Sequence, residues 1–287
     1  MNIYEETKFI LKKYGITANK NLGQNFLIND QVIEQIVNGA EINKEDLVIE
    51  IGPGLGTLTK ELLEKAGKVI AIELDKRMIE ILTDRFNLYT NFELLNADIL
   101  QVNLEKIIAE NINNTELNLK RVKVVANLPY YITTPIIMKL LEEKLNIASI
   151  TVMIQKEVAD RLVEIPGGKN TGAITYAVYY YAEARKILKV MPNSFIPEPA
   201  VESEVINLKI RHTNVVEVKN EELMFQIIKY AFMQRRKTLV NALEKSGLFK
   251  NKLEIIQILN ELNINEKIRG EKLTLNQYAQ ISNKLEK

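Results

Sequence analysis

Asn127-Leu128-Pro129-Tyr130 puts a side-chain amide, a backbone carbonyl and an aromatic ring within four residues, directly after an apolar run. That combination suits chemistry on an aryl amine such as N6 of adenine. Such an amine is a poor nucleophile because its lone pair is delocalised into the ring. Two acceptors at fixed angles, the side-chain carbonyl of Asn127 and the backbone carbonyl of Leu128, favour a pyramidal nitrogen by taking the amine's hydrogens. Pro129 fixes the turn that presents these oxygens, and Tyr130 offers a face on which an extruded base stacks. The structural alternative is that Asn and Pro after a strand simply make a turn, with Tyr130 packed on the core.

A second constellation concerns the partner of such an amine. Residues 48–57 run V-I-E-I-G-P-G-L-G-T, with glycines at the C-terminal end of an apolar strand and at the entrance of a helix. α/β sheets bind nucleotide-like ligands at that kind of turn. Gly52 and Gly54 let the backbone pass close to a ligand that a side chain would obstruct. Glu73 closes the next strand, where an acid accepts hydrogen bonds from ribose hydroxyls. Together these residues predict an adenosine-type cofactor. The dinucleotide fingerprint G-x-G-x-x-G requires glycine at position 57, which is Thr57 here. The same geometry serves S-adenosylmethionine, which has no pyrophosphate. Asp98, the end of N-A-D, is either an acceptor for the exocyclic amine of the cofactor's adenine or the N-cap of the helix after it.

These residues need a scaffold that brings several strand ends together. Apolar runs at 47–51, 69–73, 92–98, 123–127 and 150–154 alternate with amphipathic segments at about 57–65, from Asp75, and on IIMKLLEEKL. Strands alternating with helices predict a doubly wound, mostly parallel α/β sheet. A short helix ending at Gly15 and a second, capped by Asp30 and running through Val37, precede it. The Asn-rich piece at 111–118 reads as a surface loop. After Ile165 the tempo breaks at PGGKNTG, and β-like runs follow around 187–190 and 205–210. The proline-rich loop between them, at 191–204, is expected to be extended and irregular. From Glu221 onward the pattern is helical, over 223–243, on KLEIIQILNEL, and in a segment opening at Thr274. The expected division is a cofactor-binding domain over 1–211 and a small all-helical domain over 212–287.

Composition bounds the chemistry. The 287 residues include no Cys and one His, which excludes disulfides, thiolate nucleophiles and multi-histidine metal sites. No run approaches the ~18 apolar residues needed to span a bilayer, and the start is not that of a signal peptide, so a cytoplasmic location is expected. The formal charge of +1 discourages, at first sight, a nucleic-acid partner. Its distribution does not: residues 1–200 carry 23 Lys and Arg against 26 Asp and Glu, and residues 201–287 carry 15 against 11. The densest basic cluster is Arg235, Arg236 and Lys237, either a phosphate contact or a solvated helix face. His212 reads as a boundary or surface residue, and Tyr176, Tyr179, Tyr180 and Tyr181 as packing between the sheet and its flanking elements.

Taken in order, these pieces resemble the bacterial 16S rRNA adenine N6,N6-dimethyltransferases. The matching stretches are K-x-x-G-Q-N-F-L at 20–27, VIEIGPGLGTLT, VIAIELD, NAD, VVANLPYYITTPI, Q-K-E-V-A-D-R-L at 155–162, S-F-I-P-E-P-A-V-E-S at 194–203 and F-M-Q-R-R-K-T-L at 232–239. Only the short acidic N-terminal helix departs from the family's pattern. The resemblance implies a Rossmann-like class I methyltransferase sheet and S-adenosylmethionine held by Asn25, Leu27, Gly52, Glu73, Asp98 and Asn127, with Gly54 beside them. It implies Asn127, Leu128 and Tyr130 at the target amine. Phe195 is either a second stacking partner for the base or a core anchor of the proline loop. The implied product is dimethylation of N6 on two adjacent adenosines near the 3′ end of 16S rRNA in the immature small subunit, by a metal-free monomer. Alternatives are a methyltransferase acting on large-subunit rRNA, a nicotinamide oxidoreductase disfavoured by Thr57 and NLPY, and an assembly factor that docks without catalysis.

Overall fold

The computed structural model describes residues 2–19 and 22–286. Lys20, the first residue of the K-x-x-G-Q-N-F-L motif, lies outside the described residues. The chain forms two compact units, Met1–Ala159 with Ala184–Ile210, and Asp160–Glu183 with Arg211–Lys287. The first unit opens with α1 (Ile3–Lys13), β1 (Phe26–Leu27), α2 (Asp30–Gly39), β2 (Asp46–Ile51), α3 (Thr57–Lys65) and β3 (Lys68–Glu73). It continues with α4 (Lys76–Phe86), β4 (Phe92–Asn96), α5 (Leu104–Ile112), β5 (Arg121–Asn127), α6 (Thr133–Glu142) and β6 (Ser149–Gln155). After α7 (Lys156–Leu162) and α8 (Ala173–Tyr181) come β7 (Ala182–Val190), β8 (Phe195–Ile196) and β9 (Ser203–Ile210).

Seven strands form one sheet in the order β4-β3-β2-β5-β6-β9-β7. The pairs β2–β3, β2–β5, β3–β4 and β5–β6 are parallel, and β9 runs antiparallel to β6. The expected doubly wound, mostly parallel sheet is therefore present. Strands covered on both faces are mostly apolar, and every residue of β2 is buried, the polar Asp46 and Glu50 included. Successive strands leave β2 toward opposite edges, which opens a crevice at the C-terminal ends of β2 and β5. On one face α2, α3 and α4 contribute Ile33, Ile36, Leu62, Leu63, Ile81 and Leu82 to a core with Val48 and Val69. Each such aliphatic side chain contributes roughly 1.5–3 kcal/mol on full burial.

At the opposite end of β2, Asp46 is fully buried and is held by Lys123 Nζ at 3.1 Å and Arg121 Nε at 2.9 Å, both from β5. Lys123 also donates to the carbonyls of Ala40 and Glu41. Helix starts are set by short polar caps. Asn29 caps α2 by accepting from the Val32 amide, so the cap lies one residue before the expected Asp30, which is the first helical residue. Asp75 caps α4, Asn103 caps α5 and Asn220 caps α9 (Glu221–Met233).

The second unit holds α8, α9, α10 (Leu239–Leu243), α11 (Lys252–Glu261) and α12 (Leu275–Leu285), the last with a capping box between Thr274 and Gln277. The single break expected at residue 211 differs from what is found, because residues 160–183 already belong to the helical unit. The cause is α8. Tyr176 and Tyr180 are buried in the helical core with Met224, Ile227, Leu239 and Tyr278, not against the sheet as expected. Tyr176 donates to the Leu273 carbonyl at 2.7 Å, and its ring meets Tyr278 edge-on at 5.1 Å.

The expected continuous helix over 223–243 is interrupted between α9 and α10, where Arg235, Arg236 and Lys237 stand in an exposed turn instead of on a helix face. Arg235 pairs with Glu271 at 2.5 Å. His212 is exposed in this unit. Among the described residues no helix is long and apolar enough to cross a membrane, and no cluster of three or more His, Cys, Asp and Glu is placed to hold a metal ion.

Candidate functional site

At the C-terminal ends of β2, β3 and β5 the sheet opens into a cleft of about 1120 Å³, counted out to its mouth. The glycine loop between β2 and α3 forms its floor. The Gly52 amide donates to the Ile72 carbonyl at 2.9 Å, which keeps the loop on the tip of β3. Gly52 has φ +67°, and no atom lies within 4 Å of where a Cβ would project, so that space is open to a ligand. Gly56 is glycine for another reason: with φ +81°, a Cβ there would lie 2.5 Å from Phe86 and 2.8 Å from Leu82. Its absence lets α3 start against α4.

Two carboxylates flank this loop. Glu73 is buried at the end of β3, where Oε2 accepts from the Gly54 amide at 3.1 Å and Oε1 from the Asp75 amide at 2.8 Å. Burial raises its pKa, and those backbone donors pull against the rise. Glu50 lies deeper, 1% exposed on β2, and its Oε2 has no hydrogen-bond partner among the described residues. Burial pushes this carboxyl up to about 8; the neighbouring Thr59 hydroxyl lowers it and the Glu73 charge raises it. A buried carboxyl with one oxygen unsatisfied, in a ligand-sized cleft, is matched to a cationic ligand. Asp98 reaches the cleft from the loop after β4. Its Oδ1 accepts from the Leu100 amide at 2.9 Å, while Asn103 caps α5. Asn103 and not Asp98 thus caps α5, while Asp98 caps the single turn that directly follows it, its carbonyl accepting from the Gln101 and Val102 amides. Exposed Leu74 and buried Ile99 give this side of the cleft apolar walls.

The other side of the cleft is NLPY. Asn127 ends β5, and its Nδ2 donates to the Asn25 carbonyl at 3.3 Å. A carbonyl can only accept, so this bond fixes which way the amide faces and leaves Oδ1 free of that contact. The Leu128 amide donates to the Met153 carbonyl at 3.1 Å. The Pro129 carbonyl accepts from the Ile132 amide at 3.2 Å and the Thr133 hydroxyl at 3.1 Å, which makes the turn rigid. The half-buried Tyr130 shares a hydrogen bond with Ser203 at 2.7 Å, and burial raises its pKa.

Phe195 is only 2% exposed, part of the core with Phe26 and Leu27, and it also lines the cleft. It lies on β8, which pairs with β1 in the register Leu27↔Phe195. The proline-rich segment is thus not wholly irregular, because Phe195 and Ile196 form a strand ahead of Pro197 and Pro199. Pairing with β1 brings Asn25, Leu27 and Phe195 to one cleft.

All the residues expected from sequence therefore converge: Asn25, Leu27, Gly52, Gly54, Glu73, Asp98, Asn127, Leu128, Tyr130 and Phe195 line this cleft. Arg235, Arg236, Lys237 and His212 do not. Sequence reasoning gave no role to Glu50, Gln24 or Tyr131, which also line it. An acid inside the otherwise apolar run 47–51 was the signal for Glu50. Tyr131 is 59% exposed and carried no periodic signal.

The sequence profile of the family described as ribosomal RNA adenine dimethylase matches residues 15–287. The chain is 47% identical over 283 residues to a protein of Alkaliphilus oremlandii named ribosomal RNA small subunit methyltransferase A, covering 99% of this chain and 97% of that protein. It is 46% identical to the protein of the same name from Clostridioides difficile, with 99% and 96% covered. Among solved structures it is similar to a dimethyladenosine transferase from Plasmodium falciparum, with a TM-score of 0.73 at 27% identity over 89% of this chain and 95% of that one. The 23S rRNA methyltransferase ErmE shares the fold, with a TM-score of 0.66 at 23% identity over 92% and 100%.

Proposed function

This chain belongs to the ribosomal RNA adenine dimethylase family, and from that premise we propose how its cleft works and on what. The chain is an rRNA adenine dimethyltransferase. Its substrate is a pair of adjacent adenosines in a loop near the 3′ end of 16S rRNA, methylated on N6 during small-subunit assembly in the cytoplasm by a monomer.

S-adenosylmethionine, when bound, supplies an electrophilic methyl group on a sulfonium. The cleft fits such a cofactor on two observations: the open space over Gly52, and the unpartnered buried Oε2 of Glu50, a carboxyl that a ligand of positive charge would draw into its ionised form. Glu73 would hold the ribose hydroxyls, since each oxygen keeps a lone pair beyond its backbone bond. Asp98 would take the adenine amine between Leu74 and Ile99. Leu27, whose side chain is in the core, and Asn25 would offer backbone and amide groups, with Gly52 and Gly54 forming the floor.

At the target base, Asn127 Oδ1 and the Leu128 carbonyl accept the two amine hydrogens and hold N6 pyramidal. Tyr130 stacks on the base, and Phe195 backs it from the core. No residue with a proton affinity suited to a general base is required. Once methylated, N6 is a strongly acidic ammonium and passes its proton to solvent water.

The orientation of the Asn127 amide carries this reading, because its donor end is occupied by Asn25 and its acceptor end is left for the substrate. Asn127→Ala is expected to lower kcat at least ~100-fold on small-subunit particles lacking the modification, while cofactor affinity changes less than ~10-fold. An Asn127→Ala enzyme of near-normal kcat would remove the residue from its role.

A further inference from the structure

Gln24 stands immediately before Asn25, and both ends of its amide are engaged. Oε1 accepts from the Asn19 amide at 2.9 Å, and Nε2 donates to Asp75 Oδ2 at 2.8 Å. The Gln24 backbone amide returns a bond to the Asn19 carbonyl at 3.2 Å. Asp75 is 8% exposed and is saturated: it caps α4 through the Arg77 amide and takes two guanidinium bonds from Arg77 at 3.0 and 2.5 Å. Arg77 holds this carboxyl below the usual aspartate range. The Asp75 amide in turn donates to Glu73, whose other oxygen takes the Gly54 amide.

The bonds therefore form one unbroken chain from Asn19 through Gln24, Asp75 and Glu73 to Gly54. It joins three separate segments: the loop before β1, the turn from β3 into α4, and the glycine loop. We propose that Gln24 is a positioning residue that couples the loop bearing Asn25 and Leu27 to the ribose-facing Glu73 through Asp75, so that the cofactor meets all three segments already in register. The proposal rests on the assignment of this cleft to S-adenosylmethionine. Its physical basis is preorganisation: a loop fixed beforehand loses less entropy when ligand binds. The amide is required because position 24 must accept from a backbone N–H and donate to a carboxylate at once, which neither a carboxylate nor a hydrocarbon does.

The test is a calorimetric titration of S-adenosylhomocysteine into the full-length protein, with kcat measured separately at saturating S-adenosylmethionine. Gln24→Glu sets a second carboxylate against Asp75 and is expected to weaken binding by about tenfold or more. The kcat should stay within about threefold, since no reacting atom is touched. Wild-type binding by Gln24→Glu would overturn the coupling. If Gln24→Glu does not fold, Gln24→Leu decides: weakened binding at normal kcat supports the proposal, and unchanged binding overturns it. Glu73→Ala separates the two levels. Lost binding there with none lost at Gln24 removes the coupling alone, whereas binding retained in Glu73→Ala removes the cleft assignment beneath it.

Discussion

The acid most sensitive to its surroundings is Glu50, set on the same face of β2 as Val48 and surrounded by core. Its folded-state pKa of about 8 lies above that of an exposed glutamate, so folding favours the protonated form. The stability this contributes is fully present below the unfolded value and is lost as pH rises through about 8. Glu50→Gln cannot ionise. The cofactor-free variant should therefore melt close to the wild type near pH 5 and several degrees above it at pH 9, while binding S-adenosylmethionine more weakly. A wild-type melting temperature that runs parallel to the variant's from pH 5 to 9 would contradict this. At this scale much of the site was legible in the sequence. Asn127, Glu73 and Gly52 stand at strand ends, where local pattern announces a turn and a polar residue announces a purpose. What pattern could not give was the direction of the Asn127 amide, fixed by Asn25 from a distant segment, or the partner of Gln24, which lies 51 residues away.

Among the elements, β2 and β5 do two tasks, holding the glycine loop and NLPY at one end and a buried ion cluster at the other. Lys123 brings its charge to the fully buried Asp46 and satisfies two carbonyls after α2. Lys123→Met leaves Asp46 with Arg121 alone among its cationic partners and strips those carbonyls, so a loss on the order of 3 kcal/mol is expected by urea denaturation. A loss below about 1 kcal/mol would show that Arg121 compensates. The strands of the sheet were readable because their apolar runs fit the period and length of buried parallel strands. Two elements were not. The pair β1 and β8 is two residues on each side, too short to show alternation, and exists only because segments far apart in sequence meet at Leu27 and Phe195. The break after α9 was hidden because Gln234 to Thr238 contains neither glycine nor proline, and polar residues alone do not distinguish an exposed turn from an exposed helix face.

For the whole molecule, the near-zero net charge is a sum of unlike parts, a slightly acidic stretch over residues 1–200 and a basic one over 201–287. The turn between α9 and α10 concentrates that excess, with Arg236 and Lys237 exposed. If they contact phosphate, Arg236→Ala with Lys237→Ala should weaken binding to small-subunit particles and reduce the slope of log affinity against log salt by about 1.4, at ~0.7 per contact on single strands. An unchanged slope in filter binding across 50 to 200 mM salt would place the RNA contacts elsewhere. The division into units was only partly legible, because α8 joins the helical core through tyrosines whose destination depends on packing and not on their order in the chain. The central claim, that this cleft dimethylates N6 of adenine in small-subunit rRNA, is met most directly by mapping the product. Purified protein, S-adenosylmethionine and particles lacking the modification should yield N6,N6-dimethyladenosine at two adjacent positions near the 3′ end of 16S rRNA, read by mass spectrometry of nuclease fragments. Methylation at a single adenosine, on another atom, or on large-subunit rRNA would contradict it.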